Sequence, residues 1–141
     1  MVRKLGRVAA GLVAGVGMAV LSAGVLTADD KEDKNYTIEE IMKKGHGAKG
    51  LLKGIAAEVK QEKWDDAVKD AKLLKAFGVS LGKNKPEKGS AESWKKLTDA
   101  YKDNTEAVYK AAETKDAKGV TTALGKIQKS CKGCHQVHKG D

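Results

Sequence analysis

The chain is 141 residues long, enough for one domain, and carries 27 lysines and arginines against 19 aspartates and glutamates, a net charge of +8. Both arginines, Arg3 and Arg7, fall within the first seven residues. The remainder therefore lacks the arginine and the aromatic-basic clusters on which DNA binding rests.

The N-terminal segment divides from the rest at about residue 28. Residues 1–7, MVRKLGR, are basic, Val8 to Leu26 is free of charge, and Thr27-Ala28 then meets the run Asp29-Asp30-Lys31-Glu32-Asp33-Lys34. That order predicts an export signal over residues 1–28, cut after Ala28, with Leu26 bulkier than the small residue usual at its position. The apolar stretch of 19 residues approaches the roughly 20 needed to span a bilayer, so an uncleaved anchor is the alternative. In either case the basic end stays inside and the rest is delivered across the membrane, which predicts a periplasmic protein, soluble once the signal is cleaved. Residues 29–141 retain 24 lysines and 19 acids, a net charge of +5. This describes a solvated exterior or, in the sharper reading, a basic docking face for an acidic redox partner.

After a charged segment over residues 29–36, helical periodicity begins. Thr37 with Glu40 is a capping box that starts a helix at Ile38. The apolar stripe Ile38, Ile41, Met42, Gly45, Ala48, Leu52, Ile55 and Val59 predicts one helix to about Gln61. A second helix is predicted from Trp64 to about Leu81, with Trp64, Ala67, Val68, Ala71, Leu74 and Phe77 inward. Gly82 to Gly89 reads as a loop. Ser90 caps a third helix to about Thr114, with the stripe Trp94, Leu97, Tyr101, Thr105, Val108 and Ala112. Asp116 caps a fourth. Its stripe is Val120, Leu124, Ile127, Cys131, Cys134 and His138. Four amphipathic helices with short connections predict an all-α, antiparallel up-and-down four-helix bundle over residues 37–141. The core is thin, and glycines 45, 47, 50 and 54 weaken the first helix while leaving room for something bulky beside it.

The two cysteines of the chain lie in Cys131-Lys132-Gly133-Cys134-His135, CKGCH. A thioredoxin-like pair belongs at a helix N-terminus, where the dipole lowers the thiol pKa, and this pair sits at a helix C-terminus. A disulfide here would close a tiny loop and distort its helix. Zinc could draw on Cys131, Cys134, His135 and His138, but four donors on two turns of one helix do not readily surround an ion. Haem c accounts for each residue: two thiols one turn apart form thioethers with two vinyl groups, and His135 binds the iron as proximal ligand. One covalently attached haem c, held by Cys131 and Cys134 with iron on His135, is the cofactor expected.

On these residues the sequence resembles the class II cytochromes c, the four-helix family that includes cytochromes c′, with CxxCH near the C-terminus. The likeness covers nearly all of residues 36–140. Lys139 matches the basic residue that the family places four after the histidine, and Glu92-Ser93-Trp94 resembles its acidic-x-Trp opening of the third helix. Two features depart from it: His138 stands where an aromatic ring is usual, and no arginine lies near the haem site. The resemblance implies a low-spin branch, in which a methionine on the first helix is the sixth iron ligand, or a five-coordinate branch open to small gases. Ile41-Met42-Lys43-Lys44 resembles the methionine-bearing segment. This assigns Met42 to the iron, with His46, four residues on, as a rival and simple packing of Met42 as the bland alternative. The expected function is a single-electron carrier with a six-coordinate haem; the alternative is a gas-binding cytochrome c′ for nitric oxide or carbon monoxide. No nucleophile and base recur in a catalytic arrangement, so no enzyme is expected. The partners expected are redox proteins, with no nucleic acid, a membrane only through an uncleaved N-terminal segment, and a homodimer as the family's common assembly.

Overall fold

A computed structural model describes residues 34–140. The predicted export signal and most of the charged segment after it lie outside the described residues. Among those described, every regular element is helical: α1 Ile38–Ile41, a π-helical turn Met42–His46, α2 Leu51–Lys60, α3 Trp64–Leu81, α4 Ala91–Glu113 and α5 Ala117–His138. No described helix is long and apolar enough to cross a membrane.

The helix starts follow from their caps. Glu40 N donates to Thr37 Oγ1 at 3.2 Å and Thr37 N donates to Glu40 Oε2 at 3.1 Å, the reciprocal pair that the sequence predicts. Ser90 Oγ accepts from Ser93 N, and Asp116 Oδ1 accepts from Gly119 N. Residues 61–63 join α2 to α3 and residues 114–116 join α4 to α5, connections short enough to make antiparallel neighbours. Packing of α3 on α4, α4 on α5 and α2 on both α3 and α5 closes the four-helix bundle. Its centre is apolar: Ile41, Ile55, Leu74, Phe77, Val108, Val120 and Ile127 are fully buried. Where α3 meets α4, an added Cβ on Gly78 would stand 2.1 Å from Thr105 Oγ1, so this contact admits no side chain.

The predicted first helix is the main correction. It is two pieces, because the chain leaves the helix after His46 and re-enters it at Leu51. Gly47 is extended (ψ 173°), and Gly50 N donates back to Gly47 O at 2.9 Å. Side chains would obstruct the turn: a Cβ on Gly47 would lie 2.5 Å from Lys43 O, and one on Gly50 would lie 2.6 Å from Gly45 O. Ala48, predicted on the apolar stripe, is consequently exposed. The glycines also do not make room for a cofactor. Gly45 is buried with its missing Cβ facing the Phe77 ring, and Gly54 faces Asp70.

Candidate functional site

Two cavities meet at one end of the bundle. The smaller, about 40 Å³, is lined by Met42, His46, Leu81, Leu97, Tyr101, Ser130, Cys131, Cys134 and His135. The larger, about 290 Å³, lies between the N-terminal turn and the end of α5, against Ile38, Glu39, Met42, Glu87, Trp94, Cys134, His135, His138 and Lys139. Met42, Cys134 and His135 line both. The structure therefore brings together all four residues that the sequence singles out, and none of glycines 45, 47, 50 and 54 lines either space.

α5 supplies three of the four. The spacing that buries Val120, Leu124 and Ile127 carries Cys131 and Cys134 to the same side, where both remain free, half-buried thiols. Cys131 Sγ donates to Ile127 O at 3.3 Å. Burial pushes the Cys131 thiol up from its ordinary value; burial, and then the neighbouring Cys131, does the same to Cys134. That is opposite to what a thiolate nucleophile needs, and it agrees with the position of the pair at a helix C-terminus. His135 follows, exposed beside the same space. Among the described residues, no three of His, Cys, Asp and Glu are grouped to hold a bare ion.

Opposite α5, the π-helical turn presents Met42 and His46 together. The wider turn shifts the helical register where such insertions commonly mark functional positions. His46 is held: its Nε2 is 2.9 Å from the Tyr101 hydroxyl, with the two rings 5.5 Å apart. Burial, with a smaller contribution from the charge of His135, holds the His46 pKa below its ordinary value of 6.5. Tyr101 is itself pushed up, by burial and then by Cys131. Met42 has no polar tether and is half-buried.

His138 lines the larger cavity and is not in solvent. It is 3% exposed, with Nδ1 2.8 Å from Lys88 O, Nε2 3.0 Å from Ser93 Oγ, and its ring edge-on to Trp94 at 5.2 Å. Trp94 Nε1 donates to Asn84 O, and Asn84 Nδ2 donates to Tyr36 O. This relay ties the end of α5 to the 82–90 loop, the start of α4 and the segment before α1. Gly89, at φ +89°, lets the loop pass His138, because a Cβ there would lie 2.5 Å from Nδ1. Sequence reasoning missed this relay and the Tyr101 contact of His46, since neither has a local spacing signature. The polar histidine at an otherwise apolar stripe position was the available signal for the first.

The residues present fit a covalently held porphyrin. Two free thiols share one helix face, an imidazole follows the second, a thioether stands across from them, and the surface of the space between is mostly apolar. Among known proteins, the family model described as Cytochrome C' matches residues 39–139. Neither the curated proteins nor the solved structures gave a match.

Proposed function

The chain belongs to the cytochrome c′ family of c-type cytochromes, which bind haem c covalently, and on that footing we propose that it is an exported single-electron carrier with a six-coordinate haem. Cys131 and Cys134 would form the two thioether links, and His135 and Met42 would hold the iron. The haem supplies the one-electron ferric/ferrous couple. The chain's own residues hold it, exclude water from it and set its potential, and a thioether ligand raises that potential by favouring ferrous iron.

The observation that carries this reading is that Met42 lines both cavities together with Cys134 and His135. His46 lines only the smaller one, and its Nε2 is already engaged by Tyr101. Ligation through that nitrogen would leave the buried Tyr101 hydroxyl unpaired, at a cost of about 1–3 kcal/mol. Export to the periplasm, with redox proteins as partners, belongs to the same proposal. It is supported by the basic, apolar and small order of residues 1–28 and by the chemistry of haem c attachment.

The second reading is a five-coordinate gas binder, which the match to the Cytochrome C' family equally supports and in which the half-buried Met42 only packs. Optical spectra of the exported holoprotein separate the two. The carrier shows a low-spin ferrous spectrum with a sharp alpha band and, when ferric, a methionine-to-iron charge-transfer band at the red end of the visible range. Met42→Ala abolishes that band and His46→Ala leaves it. A high-spin spectrum that shifts with carbon monoxide or nitric oxide instead establishes the gas binder, and indifference to both substitutions removes both ligand assignments.

A further inference from the structure

The surface charge changes character along the molecule. On α4, lysines alternate with carboxylates and pair with them, as Lys95 does with Asp99 and Lys110 with Glu106. From Ala117 to Gly140 there are five lysines, 118, 126, 129, 132 and 139, and neither an aspartate nor a glutamate. All five are exposed, and none is in an ion pair among the described residues. Lys118, Lys126, Lys129 and Lys132 follow at intervals of eight, three and three residues, about two turns and then roughly one turn each. They form a row on the side of α5 away from Val120, Leu124 and Ile127. A row of like charge without neutralising partners repels itself. It also runs up to the turn that carries both thiols, where Gly133 is exposed and an added Cβ would meet nothing within 4 Å.

We propose that the lysine row of α5 is the docking surface for an acidic redox protein, with electrons crossing at the Lys132-Gly133 turn. The proposal rests on the electron-carrier reading and names the partner's chemistry. Uncompensated lysines in a row are complementary to a carboxylate-rich face, and such complementarity steers encounter and fixes orientation. An anionic lipid surface would call for inserted apolar side chains beside the basic ones. Among the described residues the exposed large hydrophobic is Val137 alone.

The test compares two triple variants of the reduced holoprotein that change net charge equally: K118E/K126E/K129E on α5, and K53E/K60E/K63E on α2 and the turn after it. Stopped-flow oxidation by ferricyanide passes one electron from each protein to one ferricyanide, giving ferrocyanide. At low ionic strength the α5 variant is expected to react about tenfold more slowly than the α2 variant, with the gap closing in high salt. With the cationic oxidant tris(phenanthroline)cobalt(III) the order reverses. Equal slowing in both variants means a net-charge effect and overturns the proposal. The glutamine versions of the same triples, expected to shift rates less in the same direction, serve if charge reversal unfolds α5.

The class of partner is tested by nuclear magnetic resonance of the labelled ferrous protein. Poly-glutamate is expected to shift amides between residues 118 and 133. Shifts confined elsewhere, or binding to phosphatidylglycerol vesicles through these lysines without poly-glutamate binding, overturn it. A high-spin, gas-sensitive spectrum would sink the carrier reading separately, since neither the rate contrast nor the amide shifts depend on the sixth ligand.

Discussion

The two halves of α5 are one unbroken helix, yet they finish differently. In the first half Val120, Ala123, Leu124 and Ile127 are buried against α2 and α4. In the second half Ser130, Cys131 and Cys134 are half-buried along two cavities at the same angular positions. Helical periodicity is the same in both. The difference lies in what faces them: continuous side chains at one end, and at the other two cavities lined in part by the Met42–His46 turn. The polypeptide completes one end of its core itself and leaves the other to the haem.

Removing the cofactor breaks the contrast most strongly. Cys131→Ala with Cys134→Ala is expected to abolish acid-stable haem retention and to lower Tm by roughly 20 °C relative to the holoprotein, read by pyridine haemochrome and calorimetry. Truncation at the closed end is next. Ile127→Ala should cost about 2–5 kcal/mol whether or not haem is attached, because the side chain is fully buried by protein. Leu97→Ala, half-buried on the smaller cavity, should cost about 1 kcal/mol in the haem-free chain and more in the holoprotein. Equal costs for Leu97→Ala in both forms, measured by urea unfolding, would mean that the cavity end does not depend on the cofactor.

The turn itself offers a sharper comparison. Gly50→Ala drives a Cβ into Gly45 O, and a loss of about 1–3 kcal/mol is expected together with a weakened methionine-to-iron band as the π-helical turn shifts. Gly54→Ala sits inside α2, where the added Cβ would meet Asp70 Oδ2 at an ordinary 3.5 Å. A gain of about 0.4–1 kcal/mol is expected there from reduced unfolded-state entropy.

The smallest effect concerns His46. Its pKa is lowered in the folded protein, so the unfolded chain takes up the proton first as pH falls. The contribution is fully present above 6.5 and is lost as pH drops through the folded value. Stability of the wild type should therefore decline below pH 6.5, and His46→Gln should flatten that decline in denaturant titrations at several pH values.

Much of this was legible in sequence because it is local. Thr37 with Glu40, Ser90 and Asp116 mark helix starts through bonds to residues three further on, and α3 runs from Trp64 to Leu81 as its periodicity dictates. The stripe on the first segment misled at Ala48, since period alone does not register that a Cβ on residue 50 would strike a carbonyl five residues back. The role expected of the glycines likewise failed: Gly45 lies against Phe77, which comes from another helix.

The sequence by itself determined the cofactor chemistry, because two thiols and an imidazole in CKGCH act through spacing along a single helix turn. It also determined the all-helical bundle, through caps and periodicity. Only the tertiary structure decided that Met42 shares both cavities with Cys134 and His135, that Tyr101 engages His46, and that His138 fastens the end of α5 to Lys88 and Ser93. These pairings join residues about 45 to 90 positions apart. Which side chains meet over such distances is set by how the helices pack, and packing is a property of all of them at once.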